Sequence, residues 1–300
     1  MEQKILDHYL QFGTYTYPGL YADKLKADLP ESVREIGLLV RKRVVHRSTL
    51  VDGNVGTNAD LRFGDMTKIP WWRQPEDDVL VTAAAMLAEL YRRDSRGFVI
   101  DRAPENKLVV TCRFTTVLFA AVLKAKGIPT RCRAVHHYAS YFDDSFGKVS
   151  ADHWINQYWS KADNRWVTTD VDGSLSFHEG ENDPYDIPLK PFDFPADAWI
   201  AIRNKEVDPE YFYNGSGHRG AIVILWSLSY DFHAIMNDEI TYTHVINYGR
   251  LENFPKLKED ELGKIDNLAR LLQDPDKNFD ELKHLWETDK DFRLLTGGLL

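Results

Sequence analysis

Cys112 is the residue of this chain whose position best suits covalent chemistry. It follows Thr111, a residue type that often caps the start of a helix. Apolar residues then recur at helical spacing, namely Phe114, Val117, Leu118, Ala121, Val122 and Ala125. Gly127 and Pro129 are placed to end that helix. A thiol in the first turn lies near the positive end of the helix dipole, which favours the thiolate, so the sequence predicts an activated cysteine.

A base and an orienting acid follow Cys112 in one predicted β-hairpin. Residues 153–159 are rich in strand formers, residues 161–164 have the composition of a turn, and residues 165–169 form the predicted return strand, which ends at Asp170. Antiparallel pairing around that turn brings His153 opposite Asp170 or Asp172. A carboxylate could then hold one ring nitrogen of His153 while the other faces the thiol, as in a Cys-His-Asp triad.

The order and spacing of these residues resemble the transglutaminase-like core, whose nucleophile, base and orienting acid occur in this order. The resemblance covers roughly residues 75–175 and rests on Cys112-Arg113-Phe114, Gly127-Ile128-Pro129-Thr130-Arg131, Asp152-His153-Trp154, Trp166 and Asp170. Two features depart from many relatives. The residues before the cysteine, 109–111, are Val-Val-Thr where a glycine is common, which leaves the oxyanion loop unassigned. The acid is followed by Val171-Asp172-Gly173 rather than Pro-Thr, which leaves Asp172 as a competitor to Asp170.

The resemblance implies a papain-like α+β fold, in which the nucleophile helix packs on an antiparallel sheet. It implies acyl transfer at a carboxamide, peptide or thioester carbonyl, with a thioester on Cys112 that an amine or water resolves. His153 is then general base and acid, Asp170 is the orienting carboxylate, and no cofactor or metal is required. The backbone N–H of Cys112, at a helix start, is the expected oxyanion donor.

Two other functions remain open. One is a cysteine peptidase or amidase in which water resolves the thioester. The other is a non-catalytic binding module that retains the core and uses the C-terminal helical extension as its interaction surface. The substrate and the acyl acceptor are not indicated by the sequence.

A zinc site is a further alternative for the thiols. Cys112, Cys132, His136 and His137 could supply ligands, but they lack a Cys-x-x-Cys pair, and the metal would quench the thiolate. We therefore interpret Cys132 as a structural strand residue. In a strand, His136 and His137 point to opposite faces, so at most one of them faces the site.

Two more motifs have structural explanations. The run Gly215-Ser216-Gly217-His218-Arg219-Gly220 matches G-x-G-x-x-G, but an aromatic turn precedes it rather than a strand, so a flexible loop is predicted. The indole N–H of Trp71 or Trp72 could donate to an oxyanion, yet adjacent aromatic residues before a helix are expected to pack.

Helical patterns flank the predicted core on both sides. One begins at Pro30-Glu31, and its apolar stripe runs to Val44. Another begins at Pro75, with Val79 on its inward stripe and the acids at 76–78 explained by the helix dipole. Further helices are predicted near 221–238 and 257–290. We therefore expect an N-terminal helical and loop segment (1–74), a catalytic core (75–175) and a mostly helical C-terminal extension (176–300).

Composition limits the classes of partner. The 300 residues, 43% of them hydrophobic, can bury a sizeable core. A net charge of −9 argues against a nucleic acid or an anionic membrane surface as partner. No apolar segment predicts a signal peptide or a spanning helix, and two cysteines fit reduced thiols, so a cytoplasmic location is expected. The expected partners are a protein, peptide or small acyl or amide substrate with an amine or water; the oligomeric state is not indicated.

Overall fold

The computed structural model describes residues 1–47, 69–73, 75–138, 149–172, 183–189, 192–293 and 295–296. The helices in these ranges are α1 (Gln3–Leu10), α2 (Ala22–Asp28), α3 (Val33–Arg41), α4 (Ala83–Arg93), α5 (Cys112–Ala125), α6 (Pro195–Arg203), α7 (Ala221–Ile235), α8 (Glu259–Leu272) and α9 (Phe279–Thr288). The strands are β1 (Val44–His46), β2 (Leu108–Val110), β3 (Thr130–Tyr138), β4 (Ser150–Ser160), β5 (Arg165–Thr169), β6 (Phe192–Asp193), β7 (Phe212–Tyr213), β8 (Val245–Ile246) and β9 (Leu295–Thr296). The predicted α+β class is confirmed.

A five-stranded sheet contains the predicted hairpin. Its strand order is β5-β4-β3-β6, and β7 pairs with β4 in the parallel direction. Strands β4 and β5 pair antiparallel, from Ser160 opposite Arg165 to Asn156 opposite Thr169. Residues 161–164 connect them, and Asn164 has the left-handed φ of +50° that asparagine tolerates in tight turns. The predicted hairpin, including the bounds of its return strand, is confirmed.

Two compact units divide the chain. The first comprises Met1–Cys132 and Ile155–Pro188, and the second comprises Arg133–Trp154 and Leu189–Leu300. Strands β3 and β4 each run from one unit into the other. Two further strand pairs stand outside the five-stranded sheet: β1 runs parallel to β2 in the first unit, and β8 runs antiparallel to β9 in the second.

Helix α5 is the central helix of the first unit. Every residue from Cys112 to Lys124 is buried, and α2, α3 and α4 contact the helix. It ends as predicted: the N–H groups of Gly127 and Ile128 donate to the carbonyls of Lys124 and Leu123, both at 2.9 Å, with Gly127 at φ +75°. Strand β4 contacts this helix, because Asn156 donates from Nδ2 to the carbonyl of Thr116 at 3.0 Å.

Helix α7 has the same role in the second unit. It is apolar on most of its surface and buried from Val223 onwards with the exception of Trp226, which is half-buried. Its polar residues are paired inside the protein: Asp231 accepts two hydrogen bonds from the Arg133 guanidinium, at 2.7 and 2.8 Å. The predicted helices near 221–238 and 257–290 correspond to α7, α8 and α9.

Two helix starts differ from the prediction. Helix α4 begins at Ala83, where Thr82 caps it by accepting from the Ala85 N–H at 3.2 Å, and residues 76–78 form a separate short turn. Val79, predicted to face inward, is 73% exposed. Helix α3 begins at Val33 with Ser32 as its cap, and Val44 lies in β1 rather than on the helical stripe. In both regions the capping side chain, rather than the proline before it, determines where the helix begins.

Helices α5 and α7, at 14 and 15 residues, are among the longest in the described part of the chain. No helix there combines the length and the apolar character that crossing a bilayer requires.

Candidate active site

Cys112 is the first residue of α5 and is only 7% exposed. Thr111 occupies the N-cap position, as predicted, but its hydroxyl makes no capping hydrogen bond. The Thr111 carbonyl accepts from the N–H groups of Phe114 and Thr115, at 3.1 and 3.2 Å. Arg113 is fully buried in the same turn, with its guanidinium 4.7 Å from the ring centre of Tyr15. The thiol therefore belongs to a fixed, electropositive helix start.

A largely buried carboxylate anchors the strand that leads to Cys112. Glu76 accepts from the Val109 N–H of β2 at 2.9 Å and from Arg93 at 2.7 Å, and it also pairs with Arg73. Arg93 donates to the Lys107 carbonyl at 2.6 Å as well. Burial raises the pKa of Glu76, against the opposing effect of its hydrogen bonds with Arg73 and the Val109 amide.

Sequence reasoning missed this anchor. It attributed the acids at 76–78 to a helix dipole, whereas Glu76 holds β2 and Asp77 pairs with Arg47 at 2.9 Å. Arg73, three residues before Glu76, was the available sequence signal, because such spacing brings side chains together within one turn. The prediction of a structural role for these acids nevertheless agrees with the ion pairs.

Asp170 and Asp172 follow β5 directly and are both buried. A carboxylate oxygen of each lies within 4.8 Å of one from the other. The Asp170 N–H donates to the Pro184 carbonyl at 2.9 Å, which fixes the backbone at the end of the strand. Two carboxylates this close repel each other when both are ionised, so the pair favours a cationic or hydrogen-donating neighbour.

His153 lies on β4 and is almost fully buried in the second unit. Its ring packs edge-on against the ring of His137 on β3, with the centroids 5.0 Å apart and the planes at 83°. Beside it on the strand, Asp152 accepts from the Gly215 N–H at 2.9 Å. Of the residues predicted to be catalytic, Cys112 and Asp170 belong to the first unit and His153 to the second.

The residues proposed for the alternative zinc site have other partners. Cys132 is a fully buried strand residue, as predicted, and its sulfur lies 3.7 Å from Nδ2 of Asn156. His136 uses both ring nitrogens, because Nε2 lies 2.8 Å from the Ser227 hydroxyl and Nδ1 lies 3.3 Å from the Ser150 carbonyl. The two cysteines are not joined in a disulfide. These hydrogen bonds leave His136 without a nitrogen for a metal.

Asp170 and Asp172 offer carboxylate oxygens close enough together to hold a divalent metal. Oxygen donors of this kind suit magnesium, calcium or manganese. The absence of a metal requirement therefore stays a prediction that metal analysis of the purified protein has to test.

The glycine-rich run, residues 215–220, does not lie in a dinucleotide-binding unit. Strand β7 precedes residues 215–220 and α7 follows them, but β7 pairs with β4, and the described chain after α7 adds no strand to that sheet. The dinucleotide-binding βαβ unit is therefore not formed there.

Trp72 is exposed rather than packed, which differs from the prediction. The side chain of Trp71 lies outside the described residues, as does most of the predicted loop between residues 50 and 72.

Comparison with other proteins identifies no relative: no protein-family model, curated protein or solved structure matches this chain.

Proposed function

We propose that this protein is a thiol-dependent acyl-transfer enzyme in which Cys112 attacks a carboxamide, peptide or thioester carbonyl. The observation that carries the proposal is the position of Cys112 at the first residue of a buried 14-residue helix, directly after a strand anchored by Glu76. A helix start favours the thiolate and supplies N–H groups to an oxyanion. Cys132 has neither feature.

The hairpin register supports His153 as the base and an aspartate as its partner. The last pair of the hairpin is Asn156 with Thr169, so His153 precedes that pair by three residues and Asp172 follows it by three. A carboxylate hydrogen-bonded to the base holds one tautomer and stabilises the imidazolium. The count gives Asp172 a stronger claim than the sequence alone did, and Asp170 remains the first candidate from the resemblance.

In the proposed reaction, His153 takes the thiol proton of Cys112, and the sulfur attacks the acyl carbon. The bond from that carbon to its leaving nitrogen or sulfur breaks as His153 returns the proton to the leaving group, which leaves a thioester on Cys112. An amine or water then attacks the thioester, giving its proton to His153, and the thiol of Cys112 is regenerated. The papain-like form of the core belongs to this proposal.

Intact-mass measurement tests the proposal directly. The full chain is incubated with a panel of simple amides, glutamine-containing peptides and thioesters, and the mass gain of an acyl group is sought with and without an added primary amine. We expect an adduct on the parent and on Cys132→Ala, and none on Cys112→Ala. Release as an amide on addition of the amine indicates transfer, and release as an acid indicates the hydrolase. An adduct that persists in Cys112→Ala would contradict the assignment.

A further inference from the structure

Arg43 is a buried, positively charged residue, and the two terminal nitrogens of its guanidinium group have no hydrogen-bond acceptor among the described residues. It lies between α3 and β1 and is 0% exposed. Its Nε donates to the Leu39 carbonyl at 2.9 Å, and its own carbonyl accepts from the Leu108 N–H of β2 at 2.8 Å. Nη1 and Nη2 are shielded from solvent, and no described residue offers either of them an acceptor within hydrogen-bond distance. A buried charge without such partners is costly, which indicates a missing ligand.

A second buried guanidinium acts on the first. Arg102 is 4% exposed, and its Nη atoms donate to carbonyl oxygens at 2.8 to 3.3 Å. These carbonyls belong to Leu90, Asp94, Gly97 and Asn106. Its Nε has no acceptor among the described residues. Burial lowers the pKa of Arg43 to about 10, and repulsion by Arg102 adds to that effect. The carbonyl dipoles satisfy the Nη donors of Arg102, but they do not neutralise its positive charge.

The charged residues near Arg43 are paired with one another rather than with it. Asp94 and Asp101 attract Arg43, whereas Arg96 and Arg102 repel it. Arg96 is paired with both aspartates, at 2.8 and 3.2 Å, so neither carboxylate is fully available to the buried arginines. No described carboxylate lies within hydrogen-bond distance of Nη1 or Nη2 of Arg43, so one monovalent anion there would neutralise its charge.

We propose that Arg43 binds a small monovalent inorganic anion of the chloride class. A water molecule could accept hydrogen bonds from the fork of Arg43 but would not neutralise its charge. An anion accepts those hydrogen bonds and also neutralises the charge. The complete burial of Arg43 excludes large organic anions. Because the Arg43 carbonyl holds the first residue of β2, the anion stabilises the strand pair that leads to Cys112.

Thermal unfolding of the full chain tests this site. The protein is exchanged into sodium gluconate, whose anion is too large to enter, and chloride replaces gluconate at constant ionic strength. We expect the midpoint to rise with chloride, by about 2–4 °C for each tenfold increase above the dissociation constant. Arg43→Met should lose this dependence. Arg92→Met, which removes an exposed charge from the same unit, should retain it. Identical midpoints for the parent chain in the two salts would overturn the proposal.

Crystals of the parent chain grown in sodium bromide make the test independent of the folding of any variant. An anomalous peak within hydrogen-bond distance of Nη1 or Nη2 of Arg43 supports the site. Water, or a carboxylate of the protein itself, at that position without an anomalous peak refutes it. Neither result depends on acyl transfer, so the outcome is separate from that of the proposed function.

Discussion

The two cysteines occupy surroundings that give their thiols different chemistry. Cys112 begins a helix, where the peptide dipoles stabilise negative charge on sulfur, and 7% of its surface is exposed. Cys132 is 0% exposed in the middle of a sheet, where its sulfur lies 3.8 Å from the Thr116 carbonyl, an acceptor that favours the neutral thiol. Reactivity should therefore separate them even though both are buried.

We predict that iodoacetamide labels Cys112 at least about tenfold faster than Cys132 near neutral pH, because only Cys112 combines a helix start with some exposed surface. Peptide mapping by mass spectrometry after a short exposure measures both rates. Cys112→Ala is the control, in which labelling of the folded chain should nearly cease. Equal rates for the two thiols in the folded parent would remove the reason for choosing Cys112 as nucleophile.

The acid that orients the base can be identified by paired variants. We predict that His153→Ala lowers turnover by about 10²–10⁴-fold, because the proton transfers lose their carrier. Asp170→Asn and Asp172→Asn should each lower turnover less than His153→Ala does. An amide in place of the orienting carboxylate favours the wrong ring tautomer but keeps the ring in position. The variant with the larger loss of turnover therefore identifies the orienting acid. Steady-state kinetics with the acyl donor found by mass measurement provides the comparison.

If the turnover of His153→Ala stays within a few-fold of the parent, the result contradicts the triad and favours the binding-module alternative.

At the scale of residues, the helix start and the hairpin could be predicted because local patterns encode them. The anchoring role of Glu76 could not, because it depends on Arg93 and on the Val109 amide, which are distant in sequence.

At the scale of elements, His136 links three parts of the second unit. It lies on β3, and its ring nitrogens face the Ser150 carbonyl of β4 and the Ser227 hydroxyl of α7. A carbonyl can only accept, so Nδ1 carries the proton and Nε2 accepts from the serine hydroxyl in the neutral ring. Burial lowers the pKa of His136 to about 4, because it disfavours the charged ring more than the hydrogen bond with the Ser150 carbonyl favours it.

We predict that the free energy of unfolding falls as the pH drops from about 6.5 to about 4, with His136 contributing up to about 3 kcal/mol of the loss. The unfolded chain binds a proton at this residue in that range and the folded chain does not, so acid favours unfolding. Urea titrations across the range should show a shallower loss for His136→Gln than for the parent. His218→Gln, in a surface loop, is the control and should match the parent; equal slopes in His136→Gln and the parent would contradict the prediction.

Element boundaries show which signals in a sequence are strong. The bounds of β5 and the end of α5 could be predicted because turn residues and Gly127 encode them locally. The start of α4 could not be located from Pro75, because Thr82 supplies a better cap seven residues later. The short strands β1 and β2 were also missed, since three-residue strands carry too little alternation to be recognised.

At the scale of the whole molecule, the charge distribution limits what the protein can bind. The chain carries 46 acidic and 37 basic residues. Its one run of three basic residues, Arg41-Lys42-Arg43, exposes mainly Lys42, because the structure buries the two arginines. Burial thus removes two of the three positive charges of this run from the surface, an effect that composition alone does not reveal.

We predict that the full chain binds neither single-stranded nor duplex nucleic acid more tightly than about 10⁻⁴ M at physiological salt, the weak end of non-specific binding. Association with a polyanion depends on releasing counterions through clustered Lys and Arg, and the exposed part of the described basic run offers a single lysine for that purpose. Fluorescence anisotropy of labelled strands, measured at low and at physiological salt, checks this. Lys42→Ala should behave like the parent. Saturable binding that weakens steeply with salt would show that basic residues from separate parts of the chain form a shared patch, and it would return nucleic acids to the candidate partners.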